Sequence, residues 1–117
     1  MPTKPMTPKF LTALIHDSLA AGGFSATNAD IVSRHLVDAE MKGVSSHGVN
    51  RLGLYLNEAA NNVIDPKAKP VVTSPRAGLL HIDGAKGIGI VAMARATEAL
   101  IETASTHGIA AGGIVNC

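Results

Sequence analysis

Aromatic residues are almost missing from this chain: Phe10, Phe24 and Tyr55 are the only three, and tryptophan is absent. Stacking platforms for single-stranded nucleic acid are therefore lacking. An excess of one charge is lacking too. Ten basic and nine acidic residues leave a net charge of +1 over 117 residues, and no run of Lys or Arg could track a phosphate backbone. Both absences argue against nucleic acid as a partner. A single cysteine, Cys117, forbids an internal disulfide and fits a reducing, cytoplasmic setting. No apolar run approaches the roughly 18 residues that a spanning helix needs, so no membrane partner is expected. The opening segment, with Pro2, Pro5 and Pro8 and no apolar core, is not expected to act as a signal peptide. His and Cys spacings suggest no metal site.

What is present is aliphatic. Apolar residues make up 46% of the chain, and its length suits one core built from Leu, Ile, Val and Ala. Thr7-Pro8 reads as an N-cap and first helical residue. Phe10, Leu11, Leu14, Ile15 and Leu19 then form a stripe that Gly22-Gly23 ends. A second helix is expected from Ser25 to about Met41, with Ile31, Val32, Leu36, Val37 and Ala39 inward and Gly43 as its stop. The two should pack as a hairpin. A third helix is expected from the serine pair Ser45-Ser46 to Asn61-Asn62. After Asp65-Pro66 the texture changes. Residues 70–73 and 79–82 read as short strands around a Ser74-Pro75-Arg76 turn, and Asp83 to Gly87 as another turn. Ile88 to about Thr106 reads as a fourth helix closing at His107-Gly108, and Ile109 to Val115 as a buried strand. The expected class is α/β (α+β): three helices, then the start of a β-α-β layer in an incomplete mixed sheet. The division falls into a helical region, 1–66, and an α/β region, 67–117.

The polar chemistry concentrates in Ser45-Ser46-His47-Gly48-Val49-Asn50-Arg51-Leu52-Gly53-Leu54-Tyr55. On one helix, His47, Arg51 and Tyr55 would stack along a face, each about 40° round from the last. Ser45 or Ser46 would cap it, and Gly48 would leave room for a ligand beside the histidine. Free amides at the helix start and an Arg51 fork suit a carboxylate, while His47 suits proton transfer. Leu52, Leu56, Ala59, Ala60 and Val63 would anchor the opposite flank. A plain cap at Ser46 and a surface Arg51 spanning to Glu58 or Glu40 would produce the same spacing. Gly84, Gly87 and Gly89 precede a helix, but their order is reversed from the dinucleotide fingerprint and reads as a tight turn. His16 and His35 fall within helices, His81 points outward from a strand and His107 sits at a helix C-terminus.

The run from Gly43 to Tyr55 resembles the signature of the malate/L-lactate dehydrogenase family, NAD(P)-dependent 2-hydroxyacid oxidoreductases unrelated to Rossmann-fold lactate dehydrogenases. Val37 to Gly43, Asn62 to Pro66 and Ile82 to Gly89 are similar in order and spacing. The resemblance implies that His47 exchanges a proton with the substrate oxygen, Arg51 clamps a carboxylate, and Ser46 and Tyr55 add contacts. It implies NAD or NADP as cofactor, a small 2-oxo or 2-hydroxy carboxylate as substrate and a homodimer, with 67–117 as the first part of a truncated α/β nicotinamide-binding domain. Residues that bind the cofactor are not identified, and neither is the particular acid. Family members are much longer and continue past the segment matching Gly108 to Asn116 with an Asn-Ser-x-His-x-Gly motif. Here Cys117 stands where serine is usual, and Ile90 stands where a polar residue is common. The expectation is an N-terminal part of such an enzyme, inactive by itself. The alternatives are a non-catalytic helical association module that pairs with intact subunits, and an unrelated small helical binding protein.

Overall fold

The computed structural model describes residues 4–117; Met1, Pro2 and Thr3, the start of the proline-rich lead, lie outside the described residues. Thr7 starts α1 (Pro8–Ala21) by accepting the Phe10 amide at 3.1 Å, with Pro8 in the first turn where its missing N–H is no loss. Ser25 does the same for α2 (Ala26–Met41), accepting the Asn28 amide at 3.2 Å. Gly23 (φ +95°) and Gly43 (φ +76°) turn the chain out of each helix. The two helices pack as the expected hairpin, with Ile15 and Leu19 buried against Val32 and Leu36. Two of the five residues of the expected α1 stripe stay outside: Phe10 is 58% exposed and Leu14 47%. Leu11, Ile15 and Leu19 face α2, and a single neighbouring layer cannot also cover the flank one step round the helix.

The expected third helix is broken. Two single 3-10 turns, Ser45–His47 and Val49–Arg51, lead into a short α3 (Leu52–Ala60). Its buried side is Ala59 with half-buried Leu52 and Leu56; Ala60 and Val63 are exposed, because the helix stops and Asn62 turns left-handed (φ +57°).

The second half is a three-stranded mixed sheet in the order β1-β2-β3. β1 (Val71–Arg76) pairs antiparallel with β2 (Leu79–Asp83), and β2 pairs parallel with β3 (Ala111–Val115) across the crossover helix α4 (Gly89–His107). The class is therefore α/β. Ser74-Pro75-Arg76 is not the turn but an irregular stretch of β1, where the register shifts between Thr73 and Arg76. An edge strand tolerates proline at such a shift, and the reversal falls instead on Ala77-Gly78, with Gly78 at φ +77°. Gly108 (φ +82°) ends α4, one residue after His107 in the last turn.

Contrary to expectation, β3 is largely exposed. α4 covers one face of the sheet through Ala96 and Ala99, which meet Leu80, Ile82 and half-buried Ile114. No strand pairs with the outer edge of β3 among the described residues, so Val115 is 47% exposed. α4 belongs to two cores at once. Val91, just inside its first turn, packs with the helical core, and Ala96 and Ala99 pack with the sheet.

A candidate active-site loop between α2 and α3

Backbone bonds close α2 and turn the chain before any functional side chain appears. The Val44 amide reaches back to the Ala39 carbonyl at 2.9 Å, and the His47 amide to the Val44 carbonyl at 3.0 Å. Gly48 then leaves helical geometry (φ −98°, ψ −139°) and splits the polar segment into its two turns. Neither serine caps a helix through its side chain, which corrects the expected N-cap at Ser45 or Ser46. The Ser46 hydroxyl instead lies 2.9 Å from His47 Nδ1. Arg51 Nε donates to the Ser46 carbonyl at 2.9 Å, and Asn50 Nδ2 donates to the Ser45 carbonyl at 3.2 Å.

The structure thus gathers Ser46, His47 and Arg51 by a different route from the expected helix face. One residue's hydroxyl orients the imidazole while its carbonyl orients the guanidinium. Both Nη nitrogens of Arg51 are without an acidic partner among the described residues, so neither Glu58 nor Glu40 pairs with it. Ser46 and His47 are exposed and Arg51 is half-buried. Tyr55, one helical turn after Arg51, lines a cavity of about 450 Å³ with Glu58, Ile88, Lys86, Asn116 and Cys117.

Glu40 is the residue that sequence reasoning passed over. Its Oε1 accepts the Val49 amide at 2.9 Å, so the free-amide anion site expected at this turn is already filled from within. The expected ligand room at Gly48 is filled as well: a Cβ there would overlap the Glu40 carboxylate, which explains why the residue is glycine. No periodicity could reveal this contact, because it closes across the irregular residues 42–48.

The glycine turn before α4 is also self-filled. A Cβ on Gly84 would lie 2.7 Å from Cys117 Cβ and 2.8 Å from the Asn116 carbonyl oxygen. One on Gly87 would lie 2.6 Å from Ala68 Cβ. Asp83 Oδ1 accepts the Ala85 amide at 2.8 Å and the Asn116 side-chain amide at 3.0 Å. These bonds, the Ala85 amide first, hold the Asp83 carboxyl below its ordinary pKa, with His81 adding a smaller pull. Ala85 (φ +54°) and Lys86 (φ +62°) are left-handed, and Lys86 is tied at both ends, its N–H to Asn116 O and its carbonyl to the Asp65 amide, each 2.8 Å.

His35, His81 and His107 are exposed, and half-buried His16 lies 3.6 Å from Asp17. Among the described residues no three His, Cys, Asp or Glu side chains converge as metal ligands would, and no helix is long and apolar enough to cross a membrane.

Comparison with known proteins places this architecture. A family model described as malate/L-lactate dehydrogenase matches residues 6–117. A Δ1-pyrroline-2-carboxylate/Δ1-piperideine-2-carboxylate reductase of Pseudomonas syringae pv. tomato is 31% identical over 109 residues, covering 93% of this chain and 32% of its own. A (2R)-3-sulfolactate dehydrogenase (NADP(+)) of Chromohalobacter salexigens is 33% identical over 99 residues, 83% of this chain and 29% of its own. The solved malate dehydrogenase of Pyrococcus horikoshii OT3 superposes with a TM-score of 0.91 at 29% identity, covering 97% of this chain and 32% of that one. The chain spans about a third of the length of the relatives it matches.

Proposed function

The chain belongs to the malate/L-lactate dehydrogenase family, and from that premise we propose that it supplies the proton-transfer and carboxylate-holding groups of an oxidoreductase working between NAD(P)H and a small 2-oxo or 2-hydroxy acid. One observation carries the reading: Ser46 holds His47 Nδ1 through its hydroxyl and Arg51 Nε through its carbonyl. With Nδ1–H donating to the Ser46 hydroxyl, Nε2 is the nitrogen left to face a substrate. As the doubly protonated ring, His47 would deliver its Nε2 proton to the 2-oxo oxygen as hydride reduces C2 to a secondary alcohol, and the neutral ring would take that proton back in the reverse direction. The two Nη nitrogens of Arg51 would hold the acid's carboxylate. Tyr55, on the neighbouring cavity wall, would contact the substrate from α3. Malate- or lactate-type acids, a cytoplasmic location and a homodimer belong to the same proposal.

NAD or NADP would supply the hydride when bound. The turn from Gly84 to Gly89 does not fit a dinucleotide pyrophosphate, because Cys117, Asn116 and Ala68 fill the space that Gly84 and Gly87 leave. The described residues are accordingly assigned to the acid, with no step assigned to them at the nucleotide.

Titration of the isotope-labelled chain with pyruvate tests the reading. Amide shifts should centre on residues 45–51 and vanish in Arg51→Gln, whereas His47→Gln should retain binding. Shifts that persist unchanged in Arg51→Gln, or none at millimolar pyruvate, would remove the clamp.

A further inference from the structure

The loop carries a carboxylate of its own, and its placement has a consequence for His47. Glu40 lies in the last turn of α2, a helix fixed to the core through Val32, Leu36 and Val37. From this rigid base its side chain reaches under Gly48 and accepts the Val49 amide at 2.9 Å. Gly48 is buried, and its hydrogen faces the space occupied by the carboxylate and the carbons that carry it. His47 and Val49 flank that contact directly. The acceptor therefore fixes the non-helical backbone that separates the two 3-10 turns, and with it the direction in which Ser46 and His47 leave the chain. Without it, residues 45–51 could wind on into α3 as a single helix, the arrangement that the spacing of His47, Arg51 and Tyr55 suggests, although Gly48, β-branched Val49 and Asn50 give that helix little local propensity.

We infer that Glu40 is a positioning residue for His47: an internal anion that takes the Val49 amide, holds Gly48 out of helical geometry and sets the Ser46–His47 pair. The inference rests on the reading of His47 as the proton carrier, yet its geometry can be tested without turnover. A hydrogen bond to a charged acceptor should slow Val49 amide exchange by about tenfold or more, and Glu40→Ala should remove that protection. The imidazole nitrogen shifts of His47 should also change, from one favoured tautomer to an average, as its bond with the Ser46 hydroxyl is loosened. Glu40→Gln keeps an acceptor of equal length and should rescue both readouts.

A second variant guards against misfolding. Gly48→Ala should push the flexible carboxylate aside and reproduce the Glu40→Ala result at Val49 and His47. Because both variants break one contact, Glu40→Ala/Gly48→Ala should be no worse than either alone. Core amides at Leu19 and Leu36 serve as the control and should exchange as in the parent chain. Faster Val49 exchange with unchanged His47 shifts would reduce Glu40 to a cap and overturn the inference. Loss of core protection in both Glu40 variants would make it a member of the fold instead, and would equally overturn it. A parent chain with a fixed His47 that binds no 2-oxo acid would defeat the proposed function and leave the positioning role standing.

Discussion

Two irregular segments, residues 45–51 before α3 and residues 83–88 before α4, solve the same problem in opposite ways. Each delivers the chain into a helix that has no side-chain N-cap. Each uses one carboxylate to hold backbone amides, Glu40 at Val49 and Asp83 at Ala85. The difference is where the remaining polar groups go. In the 83–88 turn they are consumed internally: Asn116 closes on Asp83, Lys86 is bonded at both backbone ends, and the glycine spaces are packed with chain atoms. In the 45–51 loop, backbone bonds do the holding while the His47 ring and both Arg51 Nη groups remain available. A glycine-rich turn and a histidine-bearing loop can look equally functional in sequence. The free side chains, rather than the glycines, separate a binding surface from a scaffold.

The largest effect should come from filling the closed turn. In Gly87→Ala the new methyl meets Ala68 Cβ at 2.6 Å and the Gly84 carbonyl at 3.0 Å, neither of which is the end of a flexible side chain. Overpacking of this kind costs about 1–3 kcal/mol, read as a lower denaturant midpoint with an unchanged slope. Gly48→Ala meets a movable carboxylate and should lose far less global stability while disturbing its own loop. Equal losses in the two variants would erase the contrast between them.

Acid should loosen the 83–88 turn. The Asp83 carboxyl is held below its ordinary pKa in the folded chain, so its stabilising contribution is complete above the unfolded value. As pH falls below about 4, protons bind the unfolded chain first, and the contribution is lost through the folded-state pKa. The stability gap between the parent chain and Asp83→Asn should therefore shrink between neutral pH and pH ~2, measured by thermal melts. A gap that stays constant across that range would show that the acceptor geometry matters and the charge does not.

Local signals carried much of this fold. Thr7-Pro8 and Ser25 start helices where hydroxyls meet the amides three residues on, and Gly22-Gly23, Gly43 and Gly108 stop them. These are contacts within a few residues, and sequence spacing reports them. The failures all involve partners farther away. The break at Gly48 depends on Glu40, the continuation of β1 through Ser74-Pro75-Arg76 depends on β2, and the exposure of β3 depends on what lies beyond one covered face. For the candidate site, the residue types were legible and their grouping was not. Spacing put His47, Arg51 and Tyr55 on one helix face, whereas the break at Gly48 takes His47 off that helix and Arg51 Nε turns back to the Ser46 carbonyl.

The smallest expected effect is also the most direct comparison of the glycines. Gly53 sits in the first turn of α3, and a Cβ there meets no atom within 4 Å, unlike one at Gly84 or Gly87. Alanine relieves the entropy that glycine loses in a helix, so Gly53→Ala should stabilise the chain by roughly 0.5 kcal/mol, seen as a small rise in the melting midpoint. The helix turns about 200° between Arg51 and Gly53, which puts the new methyl on the side away from the guanidinium. Pyruvate-induced shifts at residues 45–51 should therefore be the same in Gly53→Ala as in the parent chain. If the variant gains stability and loses those shifts, the acid lies over the Gly53 side of α3, and the binding face must be redrawn around that glycine rather than around Arg51.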